Sequence, residues 1–254
     1  MQGWLSIPFL PMAAFRPMPG AIGLFDSGRG GLSVAHAIRQ ALPSADLLYV
    51  ADEAFAPYGN RSEGEILDRA RHLARLLQRA GAAMLVVACN TATAVAVDAL
   101  RREFAVPIVG VEPAVKPAVE LTRSKTIAVL ATARTLHCNR FKSLLARFAR
   151  ETKVLTSDCP GWVSLVEAGC HLSPENLDTL RRVTCPLIEQ NADVLVLGCT
   201  HYPFLIPLLR PLLPEGVHLL NPAPAIARQV RTLARQFALP LSRGATLRCY
   251  ATNQ

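Results

Sequence analysis

The sequence lacks closely spaced cysteine pairs, although it contains seven cysteines. An odd number of widely separated cysteines without a C-x-x-C pair forms neither a disulfide framework nor a zinc-binding pattern. We therefore expect no metal site and a reducing environment, which predicts a cytoplasmic location. The cysteines are Cys89, Cys138, Cys159, Cys170, Cys185, Cys199 and Cys249.

The sequence also lacks an uninterrupted apolar run typical of a membrane span or signal peptide. Residues 1–20 are apolar but broken by prolines, and no Lys or Arg precedes their apolar part. This predicts neither a signal peptide nor a span. The apolar run at residues 80–97 has Asn90, Thr91 and Thr93 at its centre, which favours a buried strand continuing into a helix. We expect no membrane association.

No basic run is interleaved with aromatic residues, which make up only 6% of the chain. The formal charge of +8 comes from 27 basic and 19 acidic side chains, and the arginines are scattered over predicted helices. Such a distribution is typical of solvated helix faces rather than of a nucleic-acid platform. The sequence therefore predicts no nucleic-acid partner, while an anionic small molecule stays compatible with it.

Short β-rich runs alternate with helical patterns, which predicts an α/β fold with parallel sheets and crossover helices. The clearest helix follows Ser62, because Ser62 and Glu65 form a capping box and Gly81 is placed to end the helix. The predicted strands are residues 22–25, 47–51, 85–88, 107–109, 126–130, 194–197 and 217–219.

A weak internal repeat predicts two similar domains, each a mostly parallel sheet flanked by helices, with the active site in the cleft between them. Each half offers a hydroxyl-bearing strand end followed by a strand end that carries a cysteine and a polar residue. We expect an N-terminal extension over residues 1–20, a first domain of residues 21–113 plus 221–254, and a second domain of residues 114–220. The C-terminal segment is assigned to the first domain because its helix, residues 223–237, has no strand partner nearby.

Cys89 and Cys199 occupy the two equivalent strand ends, each before a polar residue predicted to open a helix. Ligands of open α/β sheets bind outside the carboxyl ends of strands, and a helix N-terminus lowers the pKa of a thiol. The alternative is that both are small buried core residues. Their repeated position favours a functional pair, whereas the other five cysteines lack this setting and are interpreted as structural.

Two thiols suit the inversion of an amino-acid Cα. A single base tends to return the proton to the face that it left, whereas two acid/base groups on opposite faces can remove and return it. The reference pKa of a thiol, about 8.5, is readily tuned for this purpose.

The glycine-rich segment that begins at Asp26 allows two interpretations. A tight turn with exposed N–H groups at a helix start is an anion site. Alternatively, Gly28, Gly30 and Ser33 nearly match a dinucleotide-binding fingerprint, with Asp52 at a suitable distance. The second interpretation leaves both cysteines unexplained.

Six segments, in order, resemble the glutamate racemases of the aspartate/glutamate racemase family, over about residues 21–235. The most specific is residues 198–203, GCTHYP. The others are residues 23–31 (GLFDSGRGG), 56–59 (APYG), 88–92 (ACNTA), 110–114 (GVEPA) and 131–135 (ATART).

The resemblance implies that Cys89 takes the proton from D-glutamate and Cys199 the proton from L-glutamate. It implies that Asp26 and His201 assist one thiol each, and that Glu167 is an auxiliary acidic residue near Cys199. From the residues alone, His201 could be an ordinary surface or core histidine. The implied substrate-binding residues are Ser27, Pro57, Tyr58, Gly59, Asn90, Thr91, Thr132, Thr135 and Thr200, several of which could instead be plain loop or cap residues.

The resemblance further implies an isomerase that supplies D-glutamate for peptidoglycan and hence for cell-wall biogenesis and cell shape. Such enzymes use neither pyridoxal phosphate nor metal and commonly form homodimers. A related two-cysteine racemase acting on aspartate or a hydantoin is the alternative. The proline-rich leader is longer than in many members, and residues 136–140 (LHCNR) depart from the family pattern.

Overall fold

The computed structural model describes residues 2–170, 172–240 and 245–252. The chain forms two compact units, which we call unit 1 (Met1–Val111 with Ala223–Gln254) and unit 2 (Glu112–Pro222). The sequence predicts domain boundaries after residues 113 and 220, whereas the two units divide after residues 111 and 222. Helix and strand segments of the predicted extension, residues 1–20, belong to unit 1.

Each unit contains one parallel sheet. In unit 1 the strand order is β1-β10-β3-β2-β4-β5, and in unit 2 it is β7-β6-β8-β9, with every pair parallel. The strands are β1 (Leu10–Pro11), β2 (Ile22–Asp26), β3 (Leu47–Ala51), β4 (Met84–Val87), β5 (Ile108–Gly110), β6 (Thr126–Leu130), β7 (Lys153–Ser157), β8 (Val194–Leu197), β9 (His218–Leu220) and β10 (Leu247–Ala251). The α/β prediction is confirmed.

Helices connect the strands, as parallel pairing requires. The α-helices are α1 (Gln2–Leu5), α2 (Leu32–Ala41), α3 (Glu63–Arg79), α4 (Asn90–Glu103), α5 (Val115–Leu121), α6 (Ala133–His137), α7 (Asn139–Phe148), α8 (Trp162–Glu167), α9 (Pro174–Glu189), α10 (Ile206–Leu209) and α11 (Ala223–Gln236). Short 3-10 helices span Met12–Ala14, Glu53–Phe55, Tyr58–Asn60, Tyr202–Leu205 and Arg210–Leu212.

Helix α3 begins and ends where the sequence predicts. Ser62 and Glu65 form both hydrogen bonds of the capping box. At the other end Gly81 has a φ of 90°, and its N–H donates to the Gln78 carbonyl while the N–H of Ala82 donates to Leu77. These are the two bonds of a Schellman motif, which a left-handed glycine permits.

The register of each sheet brings the chemically interesting strand ends to one edge. In unit 1, Asp26 pairs with Ala51 in the next strand, and Phe25 pairs with Val87, two residues before Cys89. In unit 2, Leu130 pairs with Leu197, two residues before Cys199. The strand cores are fully buried, as expected for parallel sheets covered on both faces.

Three strands were not predicted. Strand β1 is two residues long and contains a proline, and β7, at one edge of its sheet, is half exposed. Strand β10 pairs with β3 and so gives the C-terminal segment a place in the sheet of unit 1, where only a helix was expected.

Within the residues that the structure describes, no helix combines the length and the apolar character needed to cross a membrane.

Candidate active site

In unit 1 the carboxylate of Asp26 organises the glycine-rich turn at the end of β2. Asp26 is fully buried, its Oδ1 accepts from the Ser27 N–H at 2.8 Å, and its Oδ2 accepts from the Gly31 N–H at 2.6 Å. These charge-assisted bonds fix the turn before α2. The turn was expected to offer its N–H groups to an anion, but two of them are taken by the protein's own carboxylate.

Cys89 lies next to this turn, at the N-terminus of α4. Its thiol donates to the Ser27 hydroxyl at 3.7 Å, and its sulfur accepts from the Ala92 N–H at 3.5 Å. The Asp26 carboxylate lies close enough for its charge to act on the thiol. The structure thus brings Cys89 next to Asp26 and Ser27, which lie about 60 residues earlier in the sequence.

The pKa of the Cys89 thiol is raised well above its ordinary value, first by burial and then by the negative charge of Asp26. The N–H of Ala92 and the hydroxyl of Ser27 lower this pKa by less. The expectation that the helix N-terminus favours the thiolate was therefore wrong for the net direction. A thiolate with a raised pKa is the stronger base for a carbon acid.

Asn90 and Thr91 follow Cys89 in the first turn of α4, and both are buried. The Asn90 amide donates from Nδ2 to the Val111 carbonyl at 3.3 Å. Its Oδ1, also buried, accepts no hydrogen bond within the described residues. A buried acceptor of this kind is costly unless a ligand supplies a donor.

Tyr58 belongs to a buried network that the sequence analysis missed. Its hydroxyl donates to Asp52 Oδ2 at 2.7 Å, and Arg69 donates from Nε and Nη2 to both oxygens of Asp52, at 2.6 and 2.5 Å. Thr252 donates to Oδ1 at 3.0 Å. Burial, and then the Asp52 charge, raise the pKa of Tyr58, so the phenol stays protonated.

This network overturns the dinucleotide interpretation, because the carboxylate of Asp52 is fully buried and already bound by three side chains. It also assigns the Tyr58 hydroxyl to the scaffold. The neighbouring Pro57 is exposed and Gly59 is half-buried, with open space where a Cβ would lie.

In unit 2 Cys199 lies after β8 and faces an imidazole. Cys199 Sγ is 3.8 Å from His201 Nδ1, and His201 Nε2 is 2.6 Å from Glu167 Oε1. His201 and Thr200 are buried, whereas the Glu167 side chain is 36% exposed. The expected α-helix after Cys199 is absent: a turn leads into the 3-10 helix Tyr202–Leu205.

The hydrogen bonds define what His201 can do. An ionised carboxylate only accepts, so Nε2 carries the proton toward Glu167, and Nδ1 of the neutral ring is left as an acceptor facing the thiol. When the ring is protonated, the same Nδ1 donates to the thiolate. A proton can therefore pass between Cys199 and Nδ1 of His201, while Glu167 accepts a hydrogen bond from the other ring nitrogen.

Thr132 and Thr135 lie together at the start of α6. Thr132 caps that helix by accepting from the Thr135 N–H at 3.4 Å, and the two hydroxyls are 3.0 Å apart. Cys138 caps α7 through its sulfur, which accepts from the Phe141 N–H at 3.3 Å. It follows helix α6 and not a strand, so it lacks the strand-end position of Cys89 and Cys199, and its structural interpretation stays a prediction.

Three further cysteines are buried thiols. Burial raises the pKa of Cys159 to about 12, of Cys170 to about 11 and of Cys249 to about 12. Such protonated thiols act as small core residues. Cys185, by contrast, is exposed.

The sequence is similar to those of known racemases. Residues 31–230 match the model of the Asp/Glu/Hydantoin racemase family. The chain is 49% identical over 219 residues to a glutamate racemase of Pseudomonas syringae pv. tomato, covering 86% of this chain and 80% of that one. It is 47% identical over 234 residues to a glutamate racemase of Pseudomonas aeruginosa, covering 91% and 88%.

Solved structures agree. The fold matches Escherichia coli glutamate racemase, solved with L-glutamate and the activator UDP-MurNAc-Ala, with a TM-score of 0.80 and 38% identity, covering 91% of this chain and 86% of that one. It also matches the Francisella tularensis glutamate racemase solved with D-glutamate, with a TM-score of 0.78 and 27% identity, covering 93% and 88%. The chain therefore belongs to the Asp/Glu/hydantoin racemase family.

Proposed function

We propose that this racemase interconverts L- and D-glutamate by a two-base mechanism in which Cys89 and Cys199 act on opposite faces of the substrate Cα. The observation that carries the proposal is that each thiol has its own proton-handling partner, Asp26 for Cys89 and His201 for Cys199. The high identity to glutamate racemases supports glutamate as the substrate.

With D-glutamate, Cys89 enters as the thiolate and Cys199 as the thiol. The Cα–H bond breaks, its proton passes to Cys89, and the electron pair stays on the carbon, delocalised toward the carboxylate. The thiol of Cys199 then donates its proton to the other face. The product state holds protonated Cys89 and ionised Cys199, and the reverse reaction starts from it.

On the Cys89 side, the charge of Asp26 makes the Cys89 thiolate a stronger base. Burial and the Asp26 charge raise the pKa of Cys89, which costs thiolate population but makes each thiolate a stronger base. The Ser27 hydroxyl and the Ala92 N–H, both within hydrogen-bond reach of the sulfur, steady the ionised form.

On the Cys199 side, the neutral His201 ring takes the thiol proton at Nδ1 and returns it. Glu167, at 2.6 Å from Nε2, stabilises the imidazolium that this transfer creates. His201 and Glu167 are thus assigned as a proton reservoir and its positioning residue.

The substrate needs donors for its carboxylates and acceptors for its ammonium. The buried Asn90 Oδ1 is a ready acceptor, and N–H groups at the start of α4 are donors that carry the positive end of a helix dipole. We propose that the pocket is formed by Ser27, Pro57, Tyr58, Gly59, Asn90, Thr91, Thr132, Thr135 and Thr200, with Tyr58 contributing its ring or backbone because its hydroxyl is bound to Asp52.

We further propose that the enzyme works in the cytoplasm as a homodimer and supplies D-glutamate for peptidoglycan. Sedimentation at micromolar concentration checks the dimer, and a single species of monomer mass would contradict it. Rescue of a D-glutamate auxotroph checks the cellular role.

Incubation with L- or D-glutamate in deuterated water, without added cofactor, tests the activity. Proton NMR should show deuterium entering Cα, and circular dichroism should decay to zero from either enantiomer. Aspartate and hydantoins run in parallel define the substrate. If neither glutamate enantiomer exchanges its Cα proton, the proposal is refuted. If only aspartate exchanges, the substrate is aspartate, as in the related racemases.

A further inference from the structure

The N-terminal segment, residues 2–20, packs against the part of unit 1 that carries Asp26. Strand β1 lies beside β10 in parallel register, with Leu10 opposite Tyr250 and Pro11 opposite Ala251. Through β10 and β3, that register aligns Pro11 with Asp26 at the end of β2. Pro11 therefore lies at the level of Asp26, and Phe9, two residues earlier, lies at the level of Tyr49 in β3.

Phe9, directly before β1, contacts Arg29, which belongs to the glycine-rich turn of residues 26–31, and Tyr49, which binds that turn. Its ring meets the ring of Tyr49 edge-on, with centroids 6.0 Å apart, and the Arg29 guanidinium lies over it at 4.8 Å. Arg29 also donates from Nε to Glu53 at 2.8 Å. Such aromatic and cation–π contacts are directional as well as apolar, so they fix orientation.

Tyr49 carries the contact into the turn. It is fully buried, and its hydroxyl donates to the Gly28 carbonyl at 2.7 Å. Gly31 packs so closely that a Cβ there would lie 2.7 Å from this hydroxyl and 2.8 Å from the Asp26 Cβ. Because Gly31 donates its N–H to Asp26, the tyrosine contacts the turn at a residue that binds the carboxylate.

We propose that Phe9 is a positioning residue for the Cys89 half of the racemase reaction, acting through Tyr49 and Arg29 on the turn that holds Asp26 and Ser27. This inference rests on the proposed function. The N-terminal segment thereby becomes part of the catalytic scaffold of unit 1, although none of its residues is assigned to substrate.

Loss of the Phe9 ring should slow one proton transfer more than the other. Asp26 and Ser27 serve Cys89, so a looser turn makes proton removal from D-glutamate more rate-limiting. The primary isotope effect on kcat/KM should then rise with α-deuterated D-glutamate and fall with α-deuterated L-glutamate. A simple loss of folded enzyme lowers the rate and leaves both isotope effects unchanged.

The variants are Phe9→Ala, Phe9→Tyr and Phe15→Ala in the full chain. Phe15 is the matched control, because it is a half-buried aromatic of the same segment that packs edge-on against Tyr250 instead, with centroids 4.8 Å apart. We expect Phe9→Ala to lower kcat roughly 10-fold with the opposed isotope effects, because small misplacements of catalytic groups are expensive. Phe9→Tyr should restore the wild-type values, and Phe15→Ala should keep both isotope effects.

Alkylation of Cys89 by iodoacetamide, followed by peptide mass spectrometry, needs no substrate and separates the two proposals. If the Asp26 charge moves away from the thiol, the pH midpoint of alkylation falls in Phe9→Ala. A lower alkylation midpoint in Phe9→Ala, found for a protein that does not racemise glutamate, would support the positioning role of Phe9 and refute glutamate as the substrate.

Isotope effects and alkylation midpoints that match wild type in Phe9→Ala would overturn the inference. So would equal changes in Phe9→Ala and Phe15→Ala. If Phe9→Ala does not fold, Phe9→Leu replaces it, since leucine keeps apolar volume without the ring, and the same expectations and refuting results apply.

Discussion

The two thiols sit at equivalent strand ends of two similar sheets, yet their surroundings differ. Cys89 caps the N-terminus of the 14-residue helix α4 and lies close to the buried Asp26 carboxylate. Cys199 precedes a turn and faces the His201 imidazole, whose partner Glu167 is partly exposed. Among the described residues the two buried carboxylates, Asp26 and Asp52, both belong to unit 1.

The difference shows two ways of making a thiol handle a proton. In the proposed mechanism, a buried charge raises the basicity of one thiol, and a titratable ring beside the other stores the proton that this thiol releases. The symmetry required by a reversible inversion therefore concerns the thiols only, and their partners are free to differ.

Replacing either thiol should have the largest effect. Cys89→Ala and Cys199→Ala should each lower racemisation by at least about 1,000-fold, because each removes one of two obligatory acid/base groups. Circular dichroism of glutamate measures the rate, and Cys249→Ala is the control, since that thiol is buried in β10. Near-normal activity in either variant would break the two-thiol account.

Replacing Asp26 or His201 should slow the reaction less than replacing a thiol, and the two replacements should change the isotope effects in opposite directions. Asp26→Asn and His201→Asn should each slow turnover by about 100-fold, within the range for general acid–base groups. The isotope effect on kcat/KM should rise with α-deuterated D-glutamate in Asp26→Asn and with α-deuterated L-glutamate in His201→Asn. Isotope effects that change in the same direction in both variants would mean that the partners do not divide the work.

The Asp52 network should matter for the stability of unit 1. Asp52→Ala removes a buried carboxylate and leaves Arg69 and Tyr58 unpaired, which should cost about 3–5 kcal/mol of unfolding free energy. Glu103→Ala breaks an ion pair with Arg71 at the surface, where solvent screens the two charges, and should cost far less. Urea denaturation measures both, and equal losses would show that the network is ordinary surface pairing.

The smallest effect is a shift in Cys89 reactivity. Burial and the Asp26 charge raise the pKa of this thiol, so its alkylation should begin at a higher pH than that of an ordinary thiol. Asp26→Asn removes the charge and should move the alkylation midpoint to lower pH, while burial keeps it above the ordinary value. An upward shift in Asp26→Asn would contradict the sign of this interaction.

Local patterns predicted the parts of the fold that depend on local physics. Continuous apolar runs such as Val194–Leu197 mark buried parallel strands, and the Ser62 capping box marks the start of α3. Strand β7 was missed because its exposure pattern is that of an edge, with no buried apolar run. Strand β10 is held by pairing with β3, some 200 residues away in the chain.

The candidate site divides in the same way. Cys89 and Cys199 were identified from their strand-end positions, and the contact of Asp26 with Cys89 follows from the sheet register. The bonds of Asp52 to Arg69 and Thr252 join distant residues that carry no shared local signal. The net direction of the Cys89 pKa shift also escaped the sequence, since burial outweighs the helix N-terminus only in the folded protein.

The most direct test of the central claim is exchange of the Cα proton by the single-thiol variants in deuterated water, followed by NMR. Cys89→Ala retains Cys199 and should exchange L-glutamate but not D-glutamate, and Cys199→Ala should show the reverse preference. Exchange of both enantiomers at similar rates by either variant would show that one thiol reaches both faces, which would contradict a division of the reaction between Cys89 and Cys199.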